Sequence, residues 1–277
     1  MKKVLAISGG VDSMVMLHLF LNDPEIVVAH FDHGTRSSSK SDAEFVENFC
    51  KQRGIKFYGE QGNLSGDVSE EKAREARYDF LRKVAFREKG EIYTAHHVDD
   101  MVESVAINCL RGTGHKGLAP MSALGVCRPL LEKGWTKKDV LKYAASNEIV
   151  FREDPTNTSD NYLRNRIRKA VRALNGDTKQ EIFRLFCKQK ELEREIDIIL
   201  ENIVPEDNKF ERGWFYGLDD AVCMEILRHG LSKAGISATR PQIANFLDAI
   251  RTYRSGKKFN LPGDRLIRIN KKDFEIY

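Results

Sequence analysis

The 277-residue chain contains no apolar run near the roughly 20 residues that a membrane span requires. Its first apolar run, Val4 to Ile7, is too short for the core of a signal peptide, so neither membrane insertion nor secretion is expected. Cysteines are few: Cys50, Cys109, Cys127, Cys187 and Cys223 are odd in number, widely spaced and never in a C-x-x-C pair. That pattern argues against disulfides and structural zinc and for reduced thiols in a cytoplasmic protein. Internal repeats and low-complexity segments are absent, and no charge sign dominates, with 45 Lys+Arg against 41 Asp+Glu. A content of 41% apolar and 31% charged residues excludes a disordered or collagen-like chain. Basicity is concentrated in residues 251–277, with eight basic residues against three acidic ones. Such a segment suits a phosphate backbone, or an ordinary solvated surface.

What the chain does contain is an alternation of short β-branched runs and helical periods. Strands are expected at 3–7, 25–31, 56–58 and 91–95, each followed by a helix, at 13–21, 41–53, 69–89 and 100–110. Ser41 with Glu44 forms a capping-box pattern, and Thr136 with Asp139 another. Four successive βα units imply a doubly wound, mostly parallel α/β sheet covered by helices on both faces. At 100–200 residues per domain the length suggests two domains. The expected division is a catalytic domain over 1–178, a long amphipathic connecting helix over 179–204, and a smaller α+β domain over 205–277 beginning at the Pro205 turn signal. In that last part, helices are expected near 220–234 and 240–251, and Leu261-Pro-Gly-Asp264 is a hairpin turn signal. Dimerisation through the long helix is a further expectation.

In a doubly wound sheet, ligands bind beyond the carboxyl ends of the strands. The first strand runs into Ser8, Gly9, Gly10, Val11, Asp12 and Ser13, a glycine turn that feeds a helix and offers backbone N–H groups to a phosphate. The Gly-Lys-Ser/Thr ending of the Walker loop is missing. Asp12 within such a loop implies a magnesium ion between carboxylate and phosphate, or a capping role. The loop resembles that of the N-type ATP pyrophosphatases (adenine nucleotide alpha hydrolase-like fold), which cleave ATP between the α and β phosphates.

The second strand ends in His30-Phe-Asp32-His33-Gly-Thr-Arg36 and the fourth in His96-His97-Val98-Asp99-Asp100. His and Asp clusters of this kind serve dinuclear metallohydrolases; the carboxylate pair Asp99 and Asp100 can instead hold the magnesium of an ATP and orient a cationic nucleophile. Arg111 follows Asp100 by eleven residues, about 16 Å along a helix, so it reaches the same group only if the loop holding Gly112, Gly114, Lys116 and Gly117 folds back.

Together these segments resemble the bacterial tRNA-isoleucine lysidine synthetases over about residues 3–172. The resemblance also rests on Ala73-Arg-Glu-Ala-Arg-Tyr78, Glu103, Leu110-Arg-Gly-Thr-Gly114, Arg128-Pro-Leu-Leu131, Glu153-Asp-Pro-Thr-Asn157 and Arg164-Asn-Arg-Ile-Arg168. A weaker likeness over Ser255-Gly-Lys-Lys-Phe-Asn-Leu-Pro262 points to the family's first C-terminal domain, as in its short forms. Met101 and Ser104 depart from the Gln and Thr usual in the family, Thr35 from Leu and Ala173 from Pro. The resemblance implies a ligase that uses ATP and Mg2+ to adenylate a wobble cytidine of CAU-anticodon tRNA(Ile), then replaces AMP with free L-lysine. It further implies that Asp32, His33, Asp99, Asp100, Glu103 and Arg111 are catalytic or lysine-binding. The tRNA would be held by Arg36, Lys116, Arg164, Arg166, Arg168, Arg172, Lys257 and Lys258, with Arg164, Arg168 and Arg172 on one helix face. Three rival readings remain: a tRNA thiolase, for which paired cysteines are missing, a metal-dependent phosphohydrolase, and a non-catalytic RNA-binding module.

Overall fold

The computed structural model describes residues 1–32, 39–62, 70–121, 125–152, 163–263 and 265–276, with the backbone alone at 39, 40, 70, 163 and 164. The chain divides into two compact units, Met1–Lys190 and Glu191–Tyr277.

In the first unit, β1 (Lys2–Ala6), β2 (Ile26–Asp32), β3 (Lys56–Gln61), β4 (Gly90–Tyr93) and β5 (Val126–Cys127) form one parallel sheet in the order β3-β2-β1-β4-β5. The helices are α1 (Val11–Leu19), α2 (Ser39–Gln52), α3 (Glu70–Glu88), α4 (Val98–Leu110), α5 (Pro129–Glu132), α6 (Lys137–Ser146), α7 (Leu163–Ala173) and α8 (Gly176–Ile203). Strand residues alternate between two cores. Val4, Val27 and Ala29 meet Phe80, Leu81 and Val84 of α3, whereas Leu5 and Val28 meet Met16 and Leu17 of α1 and Val46 and Cys50 of α2. Because both faces are buried, β1 and β2 read as continuous apolar runs, as a doubly wound sheet requires. β5 has only two residues, too few to show any period in the sequence. The Thr136–Asp139 capping box is formed, with the Thr136 N–H donating to Asp139 Oδ2 at 2.9 Å. The Ser41–Glu44 pair is not a cap: α2 already starts at Ser39, so Ser41 lies inside its first turn.

The second unit has β6 (Lys209–Glu211), α9 (Trp214–Gly217), α10 (Asp220–Lys233), α11 (Arg240–Thr252), β7 (Lys257–Leu261), β8 (Arg265–Ile269) and β9 (Asp273–Glu275). Its antiparallel sheet has the order β6-β9-β8-β7, and the expected hairpin places Leu261 opposite Arg265. Phe210, Phe215, Phe246 and Phe274 pack at its centre. The division between units falls inside α8. The first half of that helix buries Phe186 with α4 and α7, and the second half buries Leu200 with the phenylalanine core.

At the amino edge of the parallel sheet, Glu88 ends α3 with a buried carboxylate. It accepts hydrogen bonds from Lys2 Nζ (2.7 Å), Lys56 Nζ (2.6 Å) and Tyr58 Oη (2.6 Å), tying β1, β3 and α3 together. These three donors, Lys2 foremost, hold the Glu88 carboxyl down at about 2. A carboxyl depressed in the folded state contributes stability fully above its unfolded value and loses it as pH falls toward its folded value. Urea denaturation of Glu88→Gln is therefore expected to show lower stability than the parent at pH 7, with the gap closing between pH 4.5 and pH 2.

Candidate active site

β1 and α1 are joined by a turn in which Gly9 has φ +90°, a conformation strained for any residue with a β-carbon. Ser13 Oγ donates to Gly10 O (2.9 Å) and accepts from the Ser8 N–H (3.2 Å), so the turn is closed by its own hydroxyls. The Gly9 carbonyl accepts the Arg152 N–H at 2.9 Å. The N–H groups of Val11, Asp12 and Ser13 open α1 and have no acceptor among the described residues. Three free donors at the positive end of a helix dipole form an anion seat.

Beside that seat, Asp12 Oδ1 receives Lys137 Nζ at 2.6 Å and lies 3.6 Å from His97 Nε2. Lys137 opens α6, and its backbone N–H donates to Asp99 Oδ1 at 2.8 Å. The other Asp99 oxygen receives Lys179 Nζ, from α8, at 2.5 Å, and both groups are buried. Lys137 thus holds both carboxylates, one through its side chain and one through its backbone. Asp100 points elsewhere: its Oδ2 accepts the His97 N–H at 2.9 Å and caps α4, leaving the side chain partly exposed. Sequence reasoning missed Lys137 and Lys179. The capping box at Thr136 marks Lys137 as the first residue of a helix, but nothing local marks Lys179, whose partner lies 80 residues away.

The remaining sequence candidates scatter. Asp32 is buried at the end of β2, and His30, behind it, donates Nδ1–H to Ile7 O at 2.8 Å and so ties two strand ends together. His33 and Arg36 lie outside the described residues, as does the side chain of Arg164. Glu103 is buried one turn beyond Asp100 and accepts Arg168 Nε at 3.2 Å. Arg168, expected on a solvent-facing basic stripe, therefore turns inward, while Arg166 and Arg172 stay exposed. Arg111 is exposed at the far end of α4, about 16 Å along the axis from Asp100. The glycine loop after it does fold back, onto Asn108, whose Nδ2 donates to Gly117 O at 2.9 Å. Gly117 is required there, since a β-carbon would sit 1.8 Å from Thr113 Oγ1. Lys116 lies half-buried in a 3-10 turn, His115–Leu118. In the second unit Lys257 and Lys258 are exposed on β7, with the Lys257 ammonium 4.1 Å from the Tyr253 ring centre. Two family departures prove remote from the carboxylates' polar contacts: Met101 is fully buried among α4, α7 and α8, and Ser104 Oγ donates back to Asp100 O.

Removing Lys179 leaves Asp99 buried without its strongest partner. Lys179→Met is expected to cost about 3–5 kcal/mol in chemical denaturation. Combining it with Asp99→Leu is expected to recover much of that loss, because no buried charge is then left alone.

Residues 1–174 match the PP-loop domain family. The chain is 33% identical over 240 residues to the tRNA(Ile)-lysidine synthase of Thermotoga maritima, covering 80% of this chain and 56% of that protein. It is 36% identical over 187 residues to the tRNA(Ile)-lysidine synthase of Enterococcus faecalis, covering 61% and 39%. The chain thus spans about half the length, or less, of these curated relatives. Among solved structures, a U34-tRNA thiolase from Methanococcus maripaludis superposes with a TM-score of 0.57 at 20% identity, covering 69% of this chain and 72% of that one, which shows a shared fold. With the glycine turn, the open helix N-terminus and the paired aspartates in place at the carboxyl edge of the sheet, this chain belongs to the PP-loop ATP-binding domain family.

Proposed function

We propose that the protein is a tRNA(Ile)-lysidine synthetase, an ATP-dependent ligase that joins free L-lysine to C2 of the wobble cytidine of CAU-anticodon tRNA(Ile). The observation that carries this reading is the anion seat of Val11, Asp12 and Ser13 N–H groups, with Lys137 beside it. In the first step the cytidine O2 attacks the α-phosphorus of ATP, and the bond to the β-phosphate breaks. The loop N–H groups and the Lys137 ammonium stabilise the departing pyrophosphate. In the second step the lysine ε-amine attacks C2 of the adenylated base, AMP leaves with the oxygen, and the amine proton passes to a carboxylate. The product anticodon reads AUA instead of AUG.

Of the three carboxylates suited to the lysine amine, Asp100 is the most accessible; Asp32 is buried and Glu103 already holds Arg168. Asp12 fits Mg2+, a hard cation that prefers oxygen donors, because its Oδ2 has no partner among the described residues and its side chain is one-third exposed. Asp99 fits it less well, since each of its oxygens is taken by a donor from Lys137 or Lys179. Bound there, the ion would supply charge neutralisation at the phosphates. Asp99 in this reading positions the two lysines. Arg36, Lys116, Arg164, Arg166 and Arg172 would take tRNA phosphates from the first unit, and Lys257 and Lys258 from the second. A cytoplasmic setting is supported by five free thiols, among them Cys50, pushed up to about 12 by burial. No described helix is long and apolar enough to cross a membrane. A homodimer is supported by Leu192, Ile199 and Ile203, exposed at heptad-like spacing on α8.

The test is incubation with Mg2+, ATP, radiolabelled lysine and a CAU-anticodon tRNA, with a sulfur donor replacing lysine in a parallel arm. Label is expected in that tRNA and absent when the wobble cytidine is replaced. Sulfur transfer instead would identify a thiolase, and ATP-independent phosphate release a hydrolase. Lys137→Gln is expected to lower pyrophosphate release about 10²–10³-fold.

A further inference from the structure

Two stretches singled out in the sequence, Ala73-Arg-Glu-Ala-Arg-Tyr78 and Arg128-Pro-Leu-Leu131, have no task in the chemistry above. The fold brings them together. Arg74 and Arg77, in the first two turns of α3, place their guanidinium carbons 5.0 and 5.3 Å from the Tyr78 ring centre. Arg128, between β5 and α5, is only 6% exposed; one terminal nitrogen donates to Val126 O at 3.0 Å, whereas Nε is buried without an acceptor among the described residues. The Tyr78 hydroxyl is likewise buried and interacts with Arg128. No carboxylate in the described residues pairs with Arg74 or Arg128.

The three arginines form a funnel, from exposed Arg74 through half-buried Arg77 to buried Arg128. His96, at its side, donates or accepts through Nδ1 at 2.8 Å from Thr94 Oγ1. Burial and then the charges of Arg77, Arg128 and Arg74 push its ring down to about 3, so it adds no fourth charge at neutral pH. A buried guanidinium with an unused donor and no counter-ion is complementary to an anion that arrives from outside. Planar arginine forks fit phosphate oxygens, and the next residue, His97, lies 3.6 Å from Asp12 at the anion seat. That seat and Lys137 already serve the phosphates of a nucleotide, which leaves the phosphodiester backbone of the RNA.

We propose that Arg74, Arg77 and Arg128 form a phosphodiester seat that holds the RNA backbone next to the nucleotide entering the site. The proposal rests on the RNA-ligase reading. The funnel is linked to the anion seat through His96 and the adjoining His97, so a phosphate held there would fix the depth to which the target base enters.

The test compares the parent with Arg74→Gln, Arg77→Gln and Arg128→Lys, using an anticodon stem–loop RNA with a CAU anticodon. Arg74→Gln is expected to raise the KM for RNA about tenfold and to lower the salt slope of RNA binding by about one, leaving ATP affinity unchanged. Replacing one phosphodiester flanking the target cytidine by a neutral methylphosphonate is expected to weaken binding to the parent by a similar factor and to Arg74→Gln hardly at all. An unchanged KM and salt slope, a loss of ATP affinity in place of RNA affinity, or equal methylphosphonate losses in parent and variant would each overturn the seat. Should the parent release no pyrophosphate with the natural stem–loop, the ligase reading fails. Direct binding of that stem–loop to parent and Arg74→Gln then still decides the seat.

Discussion

The site depends on one residue's double grip. Lys137 holds Asp12 through its ammonium and Asp99 through its backbone N–H, so the entry of α6 joins the helix after β1 to the helix after β4. A capping box at Thr136 fixes the helix start, and the helix start fixes where that N–H points. Lys179 completes the arrangement from α8, giving the buried Asp99 a charge partner. Without these cations, two carboxylates would stand beside a seat for phosphates and repel the anion it is built to receive.

Charge is distributed along the parallel sheet by function. At the amino edge Glu88 is saturated by Lys2, Lys56 and Tyr58, and its role is cohesion. At the carboxyl edge donors are left open among the described residues: the first N–H groups of α1 and the Nε of Arg128. The contrast follows from how α/β sheets are wound. Helices enter with their positive ends at the carboxyl edge, where the chain can leave polar groups for a ligand to satisfy.

Much of the fold was legible because its signals are local. The alternation of apolar runs and helical periods predicted four βα units, and the Thr136 box and the hairpin at Leu261 followed from short-range rules. β5 was hidden by its length, and α2 begins two residues ahead of the box at Ser41 that seemed to start it. In the site, the glycine turn and paired aspartates stood out as residue types in an unusual order. Arg168 did not: helical spacing placed it with Arg172 on an exposed face, and only the packing of α7 on α4 turns it toward Glu103.

The amino-acid sequence by itself determined the doubly wound architecture and the phosphate loop, since each rests on interactions within a few residues. Tertiary structure decided which charges meet. Lys137 reaches Asp12 across 125 positions, Lys179 reaches Asp99 across 80, and Arg128 joins Arg74 and Arg77 through the neighbouring Tyr78. A lysine or arginine looks the same on any helix surface; what it pairs with is set by which helices the sheet brings side by side.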